Sequence, residues 1–164
     1  MISELTVLHS DVFLEHDTGR LHPENSGRLV AIAQALKNAP WAAQLRWQPP
    51  TAIADRDPLP AIRQTHNLHY INDLEHLAEM GGGHLDPDTL VSPRSFEVAL
   101  LAVNAWLDGV DCVRQQQRSA FVLSRPPGHH AISDRGMGFC LLSNAAIAAH
   151  YALQQPGIER VAIL

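Results

Sequence analysis

Cysteine is nearly absent: Cys112 and Cys140 are the only two in 164 residues. They form no CxxC pair and no disulfide framework, so the chain is expected in a reducing compartment, the cytoplasm. Positive charge is also in short supply. Lys and Arg number 12 against 17 Asp and Glu, giving a net charge of −5 and a pI near 6.0. The basic residues are scattered, which argues against direct binding of nucleic acid or of an anionic membrane. Long hydrophobic runs are missing too. The most apolar stretches, around Phe96–Leu107 and Ala145–Leu153, are too short and too interrupted to span a bilayer. Met1-Ile2-Ser3-Glu4 is not a basic region leading into an apolar one, so no signal peptide is expected. Internal repeats, linkers and low-complexity tracts are lacking, which leaves one domain or part of one.

What is present is the composition of a folded domain: 46% hydrophobic and 18% charged residues, enough to build a core and far from the disordered regime. Short apolar runs alternate with helical periods, the pattern of an α/β domain with parallel strands. Strands are predicted at Leu5–His9, Leu45–Gln48 and Ala120–Ser124. Leu29, Ile32, Ala33 and Leu36 mark one helix, ended by Pro40; Leu68, Ile71, Leu74 and Leu77 mark another, ended by Gly81-Gly82-Gly83. A long helix is predicted from Ser92-Pro93, cap and first turn, with a stripe from Phe96 to Val110. Ser143 or Asn144 caps a nearly all-apolar helix to about Gln154, expected to be buried on most sides. Val161–Leu164 then begins a last strand, of the kind found in a sheet covered on both faces. Ligands in open α/β sheets gather beyond the carboxyl ends of the strands. A functional residue is thus expected just after Leu164, and residues 1–164 are expected to be the N-terminal part of a single truncated domain.

The chemistry concentrates in Arg125-Pro126-Pro127-Gly128-His129-His130-Ala131 and the following Gly136-Met137-Gly138-Phe139-Cys140. A strand delivers two prolines and a glycine, which fix a rigid loop, and two imidazoles stand at the strand's C-terminal mouth. Histidine is the natural general base near neutral pH. One of the pair could move protons while the other supplies polarity or charge. Cys140 reads as a buried structural thiol.

These segments closely resemble the histone deacetylase superfamily, in particular the class II-like branch with bacterial acetyl-lysine and acetylpolyamine amidohydrolases. Three further segments agree in order: His22-Pro23-Glu24 with Arg28, Asp86-Pro87-Asp88-Thr89, and Asn144-Ala145-Ala146-Ile147-Ala148-Ala149. The resemblance implies an arginase/deacetylase-type α/β fold, a parallel sheet flanked by helices and incomplete in this chain. It implies a zinc-dependent amidohydrolase acting on acetyl-lysine or acetylated polyamines. His130 would be the general base and acid and His129 its electrostatic partner. Asp88 would bind the substrate backbone at the rim, Gly138 and Phe139 would form one wall of the channel, and Arg28 would line an internal cavity. Other readings stand beside these: Asp88 as a turn former, Phe139 as plain core, Arg28 as the partner of Glu24 or Asp17, and His22 as a loop constraint.

The sequence departs from the family at Ser26, where many relatives carry proline, and at Leu141-Leu142-Ser143-Asn144, where aromatics and Asn-Asn are usual. In the family a strand like Val161–Leu164 leads into an Asp-x-Asp-x-His-His segment that supplies two zinc ligands. No metal ligand is therefore expected within this chain, and alone it is expected to be inactive and either to associate with further copies or to behave as a loosely packed monomer. The alternatives are a non-catalytic interaction or regulatory fragment and a histidine-rich metal-binding protein. Ten dispersed histidines without i, i+4 pairs or nearby cysteines speak against the last.

Overall fold

The structure, a computed structural model, describes residues 4–164; the start of the chain, where no signal peptide is expected, lies outside them up to Ser3. Three short strands, β1 (Leu5–Leu8), β2 (Leu45–Gln48) and β5 (Ala120–Val122), form one parallel sheet in the order β2-β1-β5. Leu5 pairs with Leu45 on one side of β1, and Thr6 with Ala120 on the other. The central strand is apolar because both its faces are covered: Val7 and Leu8 are buried. A parallel sheet flanked by helices is the architecture expected.

Helix α1 (Ser26–Lys37) opens on Asn25, whose side chain accepts from the Gly27 amide. After the short α2 (Leu59–Ile62), α3 (Leu68–Glu79) is capped in the same way by Asn67, which accepts from Tyr70. The Gly81-Gly82-Gly83 stop does more than end α3, because Gly83 begins an unforeseen antiparallel hairpin of β3 (Gly83–Asp86) and β4 (Thr89–Val91). Helix α4 (Ser95–Gln116) is 22 residues long and starts three residues after the predicted cap. Ser92-Pro93 forms a turn ahead of it, with the Ser95 amide bonded to the Ser92 carbonyl and the Ser92 amide to Ser95 Oγ.

Helix α4 belongs to both hydrophobic cores. Ala99, Leu100, Val103 and Leu107 pack with α3, Leu141, Leu142 and Ile147; Val98, Ala102 and Ala105 pack with β1, α1 and Leu123. Helix α5 (Asn144–Leu153) crosses α4. Arg56 holds Asp108 and Asp111 of α4 at 2.9 and 2.8 Å, and Tyr151 of α5 donates to Asp111. No helix among the described residues is long and apolar enough to cross a membrane.

Two expectations fail at the same place. Val161–Leu164 is not a strand: among the described residues no strand pairs with it, and Ile163 and Leu164 are exposed. Nor is α5 buried on most sides, since His150 and Leu153 are exposed and Ala145, Ala146 and Ala149 only half-buried. Both border an apolar groove of about 630 Å³ with Trp106, Val110 and Val122, uncovered among the described residues.

Candidate active site

The histidine loop grows from β5. Arg125, two residues beyond the strand's partner Leu123, turns inward and is 3% exposed. Its Nε and Nη2 donate to the two carboxylate oxygens of buried Glu24 at 2.6 and 2.8 Å, and its remaining donors reach the carbonyls of Phe13 and Glu24. Planar guanidinium and carboxylate match fork to fork, which fixes direction as well as distance. Gly128 follows, where a Cβ would stand 2.4 Å from the Leu142 carbonyl oxygen. Only glycine admits so close an approach, so the backbone is pinned immediately before the two histidines.

His129 and His130 are both exposed, with ring centroids 4.2 Å apart. Their surroundings differ. His129 borders the apolar groove beside α4, α5 and β5. His130 lies against Gly138, where a Cβ would come 2.8 Å from its Cδ2. The His130 amide donates to Cys140 Sγ, and that thiol donates to the Gly138 carbonyl, both at 3.4 Å. Burial pushes the Cys140 thiol up, so it stays protonated, as a structural thiol should.

Gly138 and Phe139 both take positive φ, +56° and +71°. For phenylalanine that conformation is sterically disfavoured by about 1–2 kcal/mol and persists only where neighbours hold it. The neighbours are the hairpin. Asp86 Oδ2 accepts from the Gly138 amide at 3.2 Å, and Thr89 Oγ1 accepts from the Phe139 amide at 2.9 Å. Partial burial opposes ionisation of Asp86. The Thr89 hydroxyl beside it and the hydrogen bonds from the Asp88 and Gly138 amides outweigh it and hold the carboxyl down to about 2. Asp88 sits exposed at the turn of the hairpin, its amide bonded to Asp86 Oδ1 at 3.1 Å. It is a turn residue and is also open to solvent beside the loop.

His22 joins the two sides. Its ring meets Phe139 edge-on at 4.7 Å; Nδ1 accepts from the Glu24 amide, so Nε2 carries the proton and donates to the Asp88 carbonyl at 3.1 Å. The structure thus brings His22, Asp88, Gly138, Phe139 and His130 into one cluster. Arg28 stands apart from that group: on the first turn of α1, 58% exposed, its guanidinium is 3.8 Å from Glu24. Asp86, Thr89 and the bridging role of His22 are not legible from sequence, because each acts through a contact 50 or more residues away.

Comparison with known proteins decides the relationship. The family model for the histone deacetylase domain matches residues 22–164. The chain belongs to the histone deacetylase family. A Synechocystis protein described only as uncharacterised is 57% identical over 161 residues, covering 98% of this chain and 52% of that protein. A histone deacetylase-like amidohydrolase of Pseudomonas aeruginosa is 36% identical over 143 residues, covering 87% of this chain and 36% of that protein. The crystal structure of the HDA15 HD domain superposes with a TM-score of 0.79 at 29% identity, over 92% of this chain and 43% of that one. The chain therefore spans about half, or less, of the histone deacetylase relatives it matches. Among the described residues no group of three or more His, Cys, Asp or Glu side chains is placed to hold a metal ion. The zinc that the family resemblance implies has no fitting ligand set within these residues.

Proposed function

We propose that the whole protein is a zinc-dependent amidohydrolase that removes acetyl groups from lysine side chains or from acetylated polyamines. Residues 1–164 contribute the histidine pair, the rim and one wall of the substrate channel. Zinc ligands would come from the part of the family domain that this chain does not span, and the chain alone is expected to be inactive. The observation that carries the reading is the juxtaposition of His130 with the Gly138–Phe139 turn, in a chain whose family match runs through both.

In this reading the acetylated side chain runs along Phe139, with Gly138 leaving clearance for the His130 ring. His130 takes a proton from the attacking water and returns one to the leaving amine nitrogen as the C–N bond breaks, releasing acetate and free amine. His129, 4.2 Å away by ring centroid, tunes the charge of that imidazole. Asp88, exposed at the hairpin turn, bonds the substrate backbone. Arg28 is assigned to an internal cavity that the remaining half of the domain would enclose. The free, buried cysteines suit a cytoplasmic setting.

The test is His130→Ala in the full-length protein. Turnover of an acetyl-lysine peptide should fall by about 10²–10⁴-fold, the usual share of general acid–base catalysis. Zinc content should be unchanged and His129→Ala should be milder. Near-full activity in His130→Ala refutes the assignment; no activity in the zinc-loaded unsubstituted protein on any acetylated amine favours an interaction fragment.

A further inference from the structure

The hairpin β3–β4 ends in a residue that the reading above does not use. Asp86 presents both carboxylate oxygens to the site: Oδ1 accepts from the Asp88 amide and Oδ2 from the Gly138 amide. Thr89, fully buried and paired with Asp86 across the hairpin, accepts from the next amide, that of Phe139. One carboxylate and one neighbouring hydroxyl thus fix two pieces of chain that approach from 52 residues apart. Neither piece holds its shape alone. Gly138-Phe139 is a consecutive pair at positive φ, and Asp88 sits at an exposed turn beside a bulge in the hairpin register between His84 and Asp86.

We propose that Asp86, with Thr89 opposite it in the hairpin, is a positioning residue that sets the width of the substrate channel, by locking the Phe139 wall and the Asp88 rim to each other. The proposal rests on the deacetylase reading, since wall and rim take their meaning from it. The chemistry favours a charged acceptor. A carboxylate can accept from two amides at once, whereas an amide side chain brings its own N–H groups into the same space. Releasing the lock frees Phe139 to leave its strained conformation, and the wall moves away from the aliphatic stem. The contacts at stake hold the substrate in the ground state and the transition state alike, so the loss should appear in KM. The His130 backbone, held by the Cys140 thiol and by the Gly128 anchor, stays in place, and kcat should hold.

The experiment uses the full-length protein with Asp86→Ala, Thr89→Val and Thr89→Ser. Kinetics on an acetyl-lysine peptide are paired with amide hydrogen exchange over residues 136–141. Asp86→Ala and Thr89→Val should each raise KM about tenfold with kcat within about threefold, and Thr89→Ser should restore KM. Exchange at Gly138 and Phe139 should accelerate while β1 and β5 stay protected. A lowered melting temperature with unchanged KM, or unaltered exchange at those two amides, overturns the proposal. An inactive unsubstituted protein instead defeats the deacetylase reading, and exchange alone then decides whether the lock exists.

Discussion

Removing the Glu24 carboxylate tests the anchor beneath the histidine loop. Glu24 and Arg125 have side chains only 3% exposed and share two hydrogen bonds, at 2.6 and 2.8 Å. Glu24→Ala deletes both and leaves a guanidinium in the interior with only the Phe13 and Glu24 carbonyls as acceptors. Breaking such a buried pair from one side costs about 3–5 kcal/mol, most of it the penalty of an uncompensated charge. The Arg28 pair lost with the carboxylate adds little. Arg28, 58% exposed and 3.8 Å from Glu24, belongs to the class of surface pairs worth about 0–1 kcal/mol. At about 2–4 °C per kcal/mol for a domain of this size, the melting temperature should fall by about 6–20 °C. The loss is a sizeable part of the roughly 5–15 kcal/mol that stabilises a typical domain. The assay is thermal and urea unfolding of Glu24→Ala, Arg125→Met and the double variant Glu24→Met/Arg125→Met. The double variant should be milder than Glu24→Ala, because it buries no lone charge. A shift under about 2 °C in Glu24→Ala, or a double variant no milder than the single, would refute the reasoning.

Acid should destabilise the protein through His16. Burial, then the charge of Arg125, lowers its pKa from 6.5 to about 3. The unfolded chain takes up a proton below 6.5 and the folded chain does not. Stability present above 6.5 is therefore lost as pH falls towards 3, at about 1.4 kcal/mol per unit. His66, shifted down mainly by burial, adds to the same slope. Urea unfolding at pH 7.5 and 5.5 checks this, and an equal slope in His16→Asn would contradict it. Tyr70→Phe should lower stability by about 1–3 kcal/mol, since the buried Leu141 carbonyl loses the 2.6 Å bond from the phenol; no change in the urea midpoint would count against that bond. Asp88→Asn in the full-length protein should impair acetylated peptides more than small acetylated amines, which lack backbone groups to bind. Equal losses with a lowered melting temperature would leave Asp88 as a turn former only.

The sheet and the main helices were legible because their signals are local. Leu29, Ile32, Ala33 and Leu36, like Leu68, Ile71, Leu74 and Leu77, recur at three and four on α1 and α3, and Leu45–Gln48 is a strand in sequence and structure alike. Ser92-Pro93 misled by two residues, as the same dipeptide that starts helices also makes the turn closed by Ser95. The hairpin was hidden because Gly81-Gly82-Gly83 and Asp86-Pro87 read as punctuation, while strands of four and three residues show little alternation. Val161–Leu164 has a strand's composition, yet a strand exists only against a partner, and none adjoins it among the described residues. In the site, the histidine pair and Gly138 announced themselves by motif. Asp86, Thr89 and His22 stood in matching segments too, but their contacts could not be read there, because a hydrogen bond across 50 residues or more leaves no periodicity behind.

Because α4 gives Leu100 and Val103 to one core and Val98 and Ala102 to the other, the two cores have no independent existence. A fluctuation that lifts this helix strips both at once, and neither half can rest on the other as a folded remnant. The region should therefore melt as one cooperative unit, with a single transition seen alike by probes on the α1 side and on the α3 side.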